Sequence, residues 1–186
     1  MKNSLNISIF GEKNIGKTTL IKDYITEGNF EDYKEKSTYV SFIKNFKDKS
    51  KLKLNLYEFS DIPDKRTKDI ASHQCIIIMF DMTCRKAFED VLDKWVKFLR
   101  DIKYNNTIIL FGTNNLNDKT ALPMTDEQEI QELIEVAEIK GTFYDIGNKD
   151  SKEKNNLIDN LIETSYEEAK NNMNKKDCCK IGRAHV

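Results

Sequence analysis

The amino-acid sequence predicts an α/β domain: a six-stranded, mostly parallel sheet with one antiparallel hairpin strand and helices on both faces. Three observations predict it. The alternating apolar run Leu5 to Phe10 leads into a glycine loop and then a helical pattern. Cys75 to Phe80 and Thr107 to Phe111 are apolar enough for strands buried on both faces. Between them Phe88, Val91, Leu92, Trp95, Phe98, Leu99 and Ile102 recur at helical spacing.

The elements follow in order. Leu5, Ile7 and Ile9 alternate with polar residues and make the first strand. Thr18 to about Glu27 reads as a helix turning Leu20, Ile21, Tyr24 and Ile25 inward, and Gly28 ends it. A polar segment, Asn29 to Lys36, leads through Ser37-Thr38 to a strand at Tyr39 to Phe46. After the charged turn Lys47 to Lys51, the alternation of Leu52, Leu54 and Leu56 makes the hairpin's second strand, ending near Tyr57 or Phe59. Ser60 to Ala71 is polar and proline-interrupted, with one or two helical turns. The two buried strands and the amphipathic helix come next. Thr125-Asp126-Glu127-Gln128 opens a helix with Ile130, Leu133, Ile134 and Ala137 inward. Thr142 to Ile146 is a short strand and Leu157 to Ala169 the final helix. Residues 1–169 thus form one domain, and the Asn- and Lys-rich tail 170–180 is expected to be mobile. Residues 181–186 match one reading frame of a common sequencing adapter, so the natural end is expected at or just beyond Cys179.

Composition narrows the function. Charged residues make up 33% of the 186 and net charge is -1, without the basic excess expected of a nucleic-acid binder. No apolar run approaches the ~20 residues of a membrane-spanning helix, and no secretory h-region opens the chain. Cysteines 75, 84, 178 and 179 fit neither a disulfide framework nor a zinc spacing, which suits a reducing cytosol. Of the two histidines, His185 lies in the adapter-like end and His73 is expected at the surface or a helix end. Histidine acid–base chemistry has little material, and no catalytic residue is assigned.

The stretch Gly11-Glu12-Lys13-Asn14-Ile15-Gly16-Lys17-Thr18 fits G-x-x-x-x-G-K-[ST], a loop that cradles phosphates. Gly11 lets the chain turn off the strand, and Gly16 lets backbone approach the anion without a Cβ between. The loop N–H groups, with Asn14, Ile15 and Thr19 in the binding set, converge on phosphate at the positive end of a helix. Lys17 reaches the β- and γ-phosphates and the Thr18 hydroxyl holds Mg²⁺. A lysine in a glycine-flanked turn has no packing reason to be there.

With the hairpin inserted after this loop, the chain resembles the Ras superfamily of small GTPases, and within it the Rab branch. Ile76-Ile77-Ile78-Met79-Phe80-Asp81-Met82-Thr83, then Ala87-Phe88-Glu89-Asp90-Val91, Trp95 and Phe98 carry the likeness. The resemblance spans roughly Leu5 to Glu168 and implies the P-loop small GTPase fold, bound GTP or GDP with Mg²⁺, and a molecular switch. The family's switch I threonine, a Mg²⁺ ligand, falls at Ser37 or Thr38. Its Asp-Thr-Ala-Gly-Gln aligns with Glu58-Phe59-Ser60-Asp61-Ile62, leaving Glu58 to serve Mg²⁺. Asp61 replaces the glycine that meets the γ-phosphate and brings negative charge toward it; Ile62 replaces the glutamine that orients water. Hydrolysis is therefore expected to be slow or lost.

The guanine-reading Asn-Lys-x-Asp is eroded to Thr113-Asn114-Asn115-Leu116-Asn117-Asp118. Strict alignment puts Leu116 at the aspartate and a one-residue slip puts Asn117 there, so Asn114 and Asn117 are the candidate base contacts. Ile146-Gly147-Asn148 stands where the family has Ser-Ala-Lys, with Lys149 a displaced substitute. Cys178-Cys179 resembles the double geranylgeranylation site of Rab proteins and implies membrane attachment. The resemblance thus implies a membrane-associated switch in vesicle trafficking. It would engage effectors and regulators through switch I and II, and sit on the cytoplasmic face of endomembranes with a cytosolic pool. The alternative is a pseudo-GTPase interaction module with weak or no nucleotide binding; a P-loop enzyme of altered base choice ranks below both.

Overall fold

In the first strand, β1 (Ser4–Phe10), alternate side chains go to opposite faces: Leu5, Ile7 and Ile9 join one core and Phe10 the other. The computed structural model describes residues 4–28, 30–36, 39–45, 51–63, 67–114, 123–136, 139, 142–147 and 149–181. After β1 come α1 (Lys17–Glu27), β2 (Glu31–Lys36), β3 (Tyr39–Asn45) and β4 (Lys51–Phe59). Next are α2 (Thr67–Ala71), β5 (Cys75–Asp81), α3 (Arg85–Asp90), a π-helical stretch Val91–Val96 and α4 (Lys97–Asp101). The chain closes with β6 (Thr107–Thr113), α5 (Glu127–Val136), β7 (Phe143–Asp145) and α6 (Ser151–Ile181).

The strands lie in the order β2-β3-β4-β1-β5-β6-β7. Strand β3 pairs antiparallel with both β2 and β4, so among the described strands it alone runs against the rest. In β5, Ile76, Ile78 and Phe80 join one core while Cys75, Ile77 and Met79 join the other. That two-sided burial is what its unbroken apolar sequence predicts. Helices α1 and α6 cover one face; α2, α3, α4 and α5 cover the other.

Several expectations change. The sheet has seven strands rather than six, because Glu31–Lys36 pairs with β3. This edge strand is almost wholly charged and lacks an apolar alternation. Cross-strand contacts hold it: Lys51 Nζ lies 2.7 Å from Glu31, and Asn45 donates to the same carboxylate at 3.0 Å. The amphipathic helix is continuous in direction but turns π-helical over Val91–Val96. The last helix runs Ser151–Ile181, past the end expected at Ala169, since neither glycine nor proline interrupts that span.

Helix α1, which begins at the glycine loop, is fixed from behind. The Tyr24 hydroxyl donates to Asp159 of α6 at 2.5 Å, and Lys44 of β3 pairs with the same carboxylate. One polar cluster therefore ties α1 to the hairpin and the last helix.

His73 is buried, at 3% exposure, rather than on the surface. Helix α2 ends two residues earlier, and the turn tucks the ring against Ser8 Oγ at 2.7 Å and over Tyr57 at 4.6 Å. Burial pushes its pKa down to about 4, opposed by the charge of Asp69. An unfolded histidine protonates near 6.5, so the unfolded chain binds the proton first as pH falls. The stabilisation is therefore complete above pH 6.5 and lost down to about 4, amounting to about 3 kcal/mol. Urea midpoints are expected to drop across that window, and His73→Gln to flatten the drop. An unchanged pH profile in that variant contradicts the assignment.

Candidate phosphate-binding site

The loop between β1 and α1 is shaped by three left-handed residues: Gly11 (φ 153°), Asn14 (φ 63°) and Gly16 (φ 97°). A Cβ on Gly11 would sit 2.5 Å from the Met79 carbonyl oxygen of β5, so the turn requires the missing side chain. Gly16 starts the helix, its carbonyl accepting from Leu20 N–H at 2.9 Å. No acidic residue stands in the first turn of α1; the carboxylate that reaches this positive helix end, Glu58, comes from β4.

Lys17 curls across this loop. Its Nζ donates to the carbonyls of Gly11 at 2.9 Å and Glu12 at 2.6 Å, and the residue is only 2% exposed. Burial pulls its pKa below the usual lysine value, partly offset by the charges of Glu58 and Glu12. The Thr18 hydroxyl lies 2.8 Å from both Oε1 and Oε2 of Glu58 and donates to that carboxylate. Ile15 is buried in the core, so its backbone rather than its side chain faces the loop interior, and Thr19 is exposed in the first turn.

The residues fit a phosphate with a hard cation. Two glycines remove Cβ atoms from the cradle, an ammonium stands inside it, and a hydroxyl and a carboxylate offer oxygen ligands side by side. Among the described residues no three His, Cys, Asp or Glu group together to hold a metal. A Mg²⁺ ion here would rely on Thr18, Glu58, water and phosphate oxygens, as this ion commonly does. Ser37 and Thr38, the other candidate ligands, lie outside the described residues.

A cavity of about 300 Å³ adjoins Thr18 and Glu58, walled by Tyr33 and Glu35 of β2 and floored by Ile21 and Val40. Neither Tyr33 nor Glu35 was legible as a site residue, because β2 carries no strand pattern.

Where the sequence expects the base contacts, Asn114 follows β6 and Gly147 comes just after β7. A Cβ on Gly147 would lie 2.6 Å from Asn114 Cγ, so the structure brings these two segments together. Leu116, Asn117, Asp118 and Asn148 lie outside the described residues. Cys178 and Cys179 fall near the far end of α6.

After β4 the Asp61 carboxylate pairs with Lys94 Nζ of the π-helical stretch at 3.0 Å and accepts from Ile62 N–H at 2.9 Å, and Lys13 of the phosphate loop acts on it as a further, weaker positive charge. Lys94 holds the Asp61 pKa below the ordinary carboxylate value. A cation on a neighbouring helix competes for this charge, which the alignment could not show. Ile62, with 37% exposure, faces outward.

A parallel-sheet strand, a glycine loop with its lysine, and a helix that begins there define a P-loop nucleotide-binding domain. Comparison narrows the class: the sequence model of the Ras family matches residues 6–167. The chain belongs to the Ras family of small GTPases. It is also 26% identical over 132 residues to the GTP-binding protein RHO3 of Saccharomyces cerevisiae. That similarity covers 66% of this chain and 57% of the yeast protein, so the chain spans little more than half of that relative's length.

Proposed function

We propose that this chain is a Rab-like, Mg²⁺-dependent guanine-nucleotide switch with slow or lost GTP hydrolysis. The observation that supports it best is the pairing of a glycine-shaped phosphate loop and buried Lys17 with Thr18 held on Glu58. Nucleotide and metal would engage Gly11, Asn14, Ile15, Gly16, Lys17, Thr18 and Thr19, with Glu58 reaching the ion and Asn114 facing the base. The Rab-like placement rests on the stretch from Ile76 to Phe98, whereas the relative matched above bears a Rho name. Cys178 and Cys179 are proposed as prenylation sites placing the protein on the cytoplasmic face of endomembranes, where effectors and regulators in vesicle traffic would meet switch I and II.

Slow turnover follows from Asp61 and Ile62. With the carboxylate engaged by Lys94 and an aliphatic side chain at the next position, neither offers the water-positioning group that hydrolysis needs. Single-turnover assays on GTP-loaded protein are expected to show a rate at least about tenfold below that of the variant combining Asp61→Gly with Ile62→Gln. Equal rates contradict the alignment of this segment.

A second reading is favoured by the same ion pair. Because Asp61 is engaged within the protein, the surface after β4 can be presented without nucleotide, as in a pseudo-GTPase interaction module. Partner binding that requires GTP and Mg²⁺ separates the switch from this module.

A further inference from the structure

Lys94 stands inside the π-helical stretch, a local widening that often marks a functional position in a helix. Among the described residues its ammonium makes two contacts. It lies 3.0 Å from Asp61 Oδ1 and 4.5 Å from the centroid of the Trp95 ring. The same Asp61 oxygen accepts the Ile62 N–H, so lysine, carboxylate and backbone amide form one chain. Beneath it, Phe59 at the end of β4 stacks on Phe10 at 5.0 Å, and Phe10 lies 5.4 Å from Trp95. The end of β4 and the segment leaving it are thus tied to this helix twice, indirectly through Phe10 of β1 in the core and directly by an ion pair at the rim.

We infer that Asp61 and Lys94 form a latch that fastens the segment after β4 to the π-helical stretch. Lys94 is the positioning residue for the Ile62 backbone. A group inside the protein does the holding. The latch concerns described side chains only and stands apart from the nucleotide reading, which is tested by nucleotide titration instead.

Exposed ion pairs contribute little, because holding two free side chains costs entropy. Asp61 is 83% exposed and is such a partner, but Lys94 is only 28% exposed and already rests on an aromatic face. Asp61 in turn is oriented by the amide that it accepts. The expected effects are therefore modest and measurable, about two- to fivefold in local opening.

The test reads each substitution at the group that only the other residue touches, using the full chain without added nucleotide. Lys94→Gln is read at the Ile62 amide by hydrogen exchange. Asp61→Asn is read at Trp95, the single tryptophan of the sequence, by its emission. Ile62 exchange is expected to rise about two- to fivefold in Lys94→Gln and to return in Lys94→Arg. Trp95 emission is expected to change in Asp61→Asn, and the double variant to exchange no faster at Ile62 than Lys94→Gln alone. Unchanged Ile62 exchange in Lys94→Gln, or unchanged Trp95 emission in Asp61→Asn, overturns the latch. So does a further, additive rise in Ile62 exchange in the double variant.

Discussion

Replacing Lys17 with alanine is expected to weaken GTP and GDP binding by at least about a hundredfold while leaving the domain folded. In the protein its ammonium is buried against the Gly11 and Glu12 carbonyls, at the centre of the loop that would receive phosphate. A charge-assisted hydrogen bond contributes about 1.5–3 kcal/mol, so losing two, to the β- and γ-phosphates, is worth about a hundredfold or more. Stability should move the other way or not at all, because burial already disfavours the lysine's charge. Titration of labelled nucleotide beside a urea denaturation curve separates the two effects. Unchanged affinity with an unchanged midpoint would mean that this loop does not bind phosphate.

Gly11→Ala is expected to destabilise the domain by about 3 kcal/mol and to abolish nucleotide binding with it. The added methyl would lie 2.5 Å from the Met79 carbonyl oxygen, a backbone atom in the middle of the sheet. Met79 pairs with Phe111 of β6, so the strand cannot step aside without disturbing its neighbour. The left-handed φ of Gly11 adds backbone strain for any residue with a Cβ. A fall in the denaturation midpoint tests this; a variant as stable as the parent contradicts the described loop.

What was legible in the sequence, and what was not, follows from how local each constraint is. The phosphate loop could be read because its glycines, lysine and threonine are neighbours, each required by the backbone or by the ligand. Strands β5 and β6 could be read because burial on both faces gives each an unbroken apolar run, Cys75 to Phe80 and Ile108 to Phe111. Strand β2 could not: an edge strand of Glu, Asp, Tyr and Lys is held by backbone pairing and by Glu31's contacts with Lys51 and Asn45, none of which gives an apolar period. The π-helical stretch was illegible because Val91, Leu92 and Trp95 satisfy the ordinary helical spacing. Asp61 could be aligned but its partner could not be found, since Lys94 lies on a different element and only the folded chain brings the two together. His73 was misplaced for the same reason: Ser8 and Tyr57, which enclose it, come from β1 and β4. Helix α6 runs past Ala169, where apolar periodicity fades, because helix-compatible residues continue to Ile181.

Whether this loop holds guanine nucleotide decides between a switch and an interaction module. Denaturing the purified full chain, identifying any released nucleotide, and titrating labelled GTP, GDP and ATP with Mg²⁺ tests that most directly. Co-purified GDP or GTP is expected, with binding of both in clear preference to ATP. No bound nucleotide, and no binding at millimolar excess, would contradict the switch and leave an interaction module on a Ras-family fold.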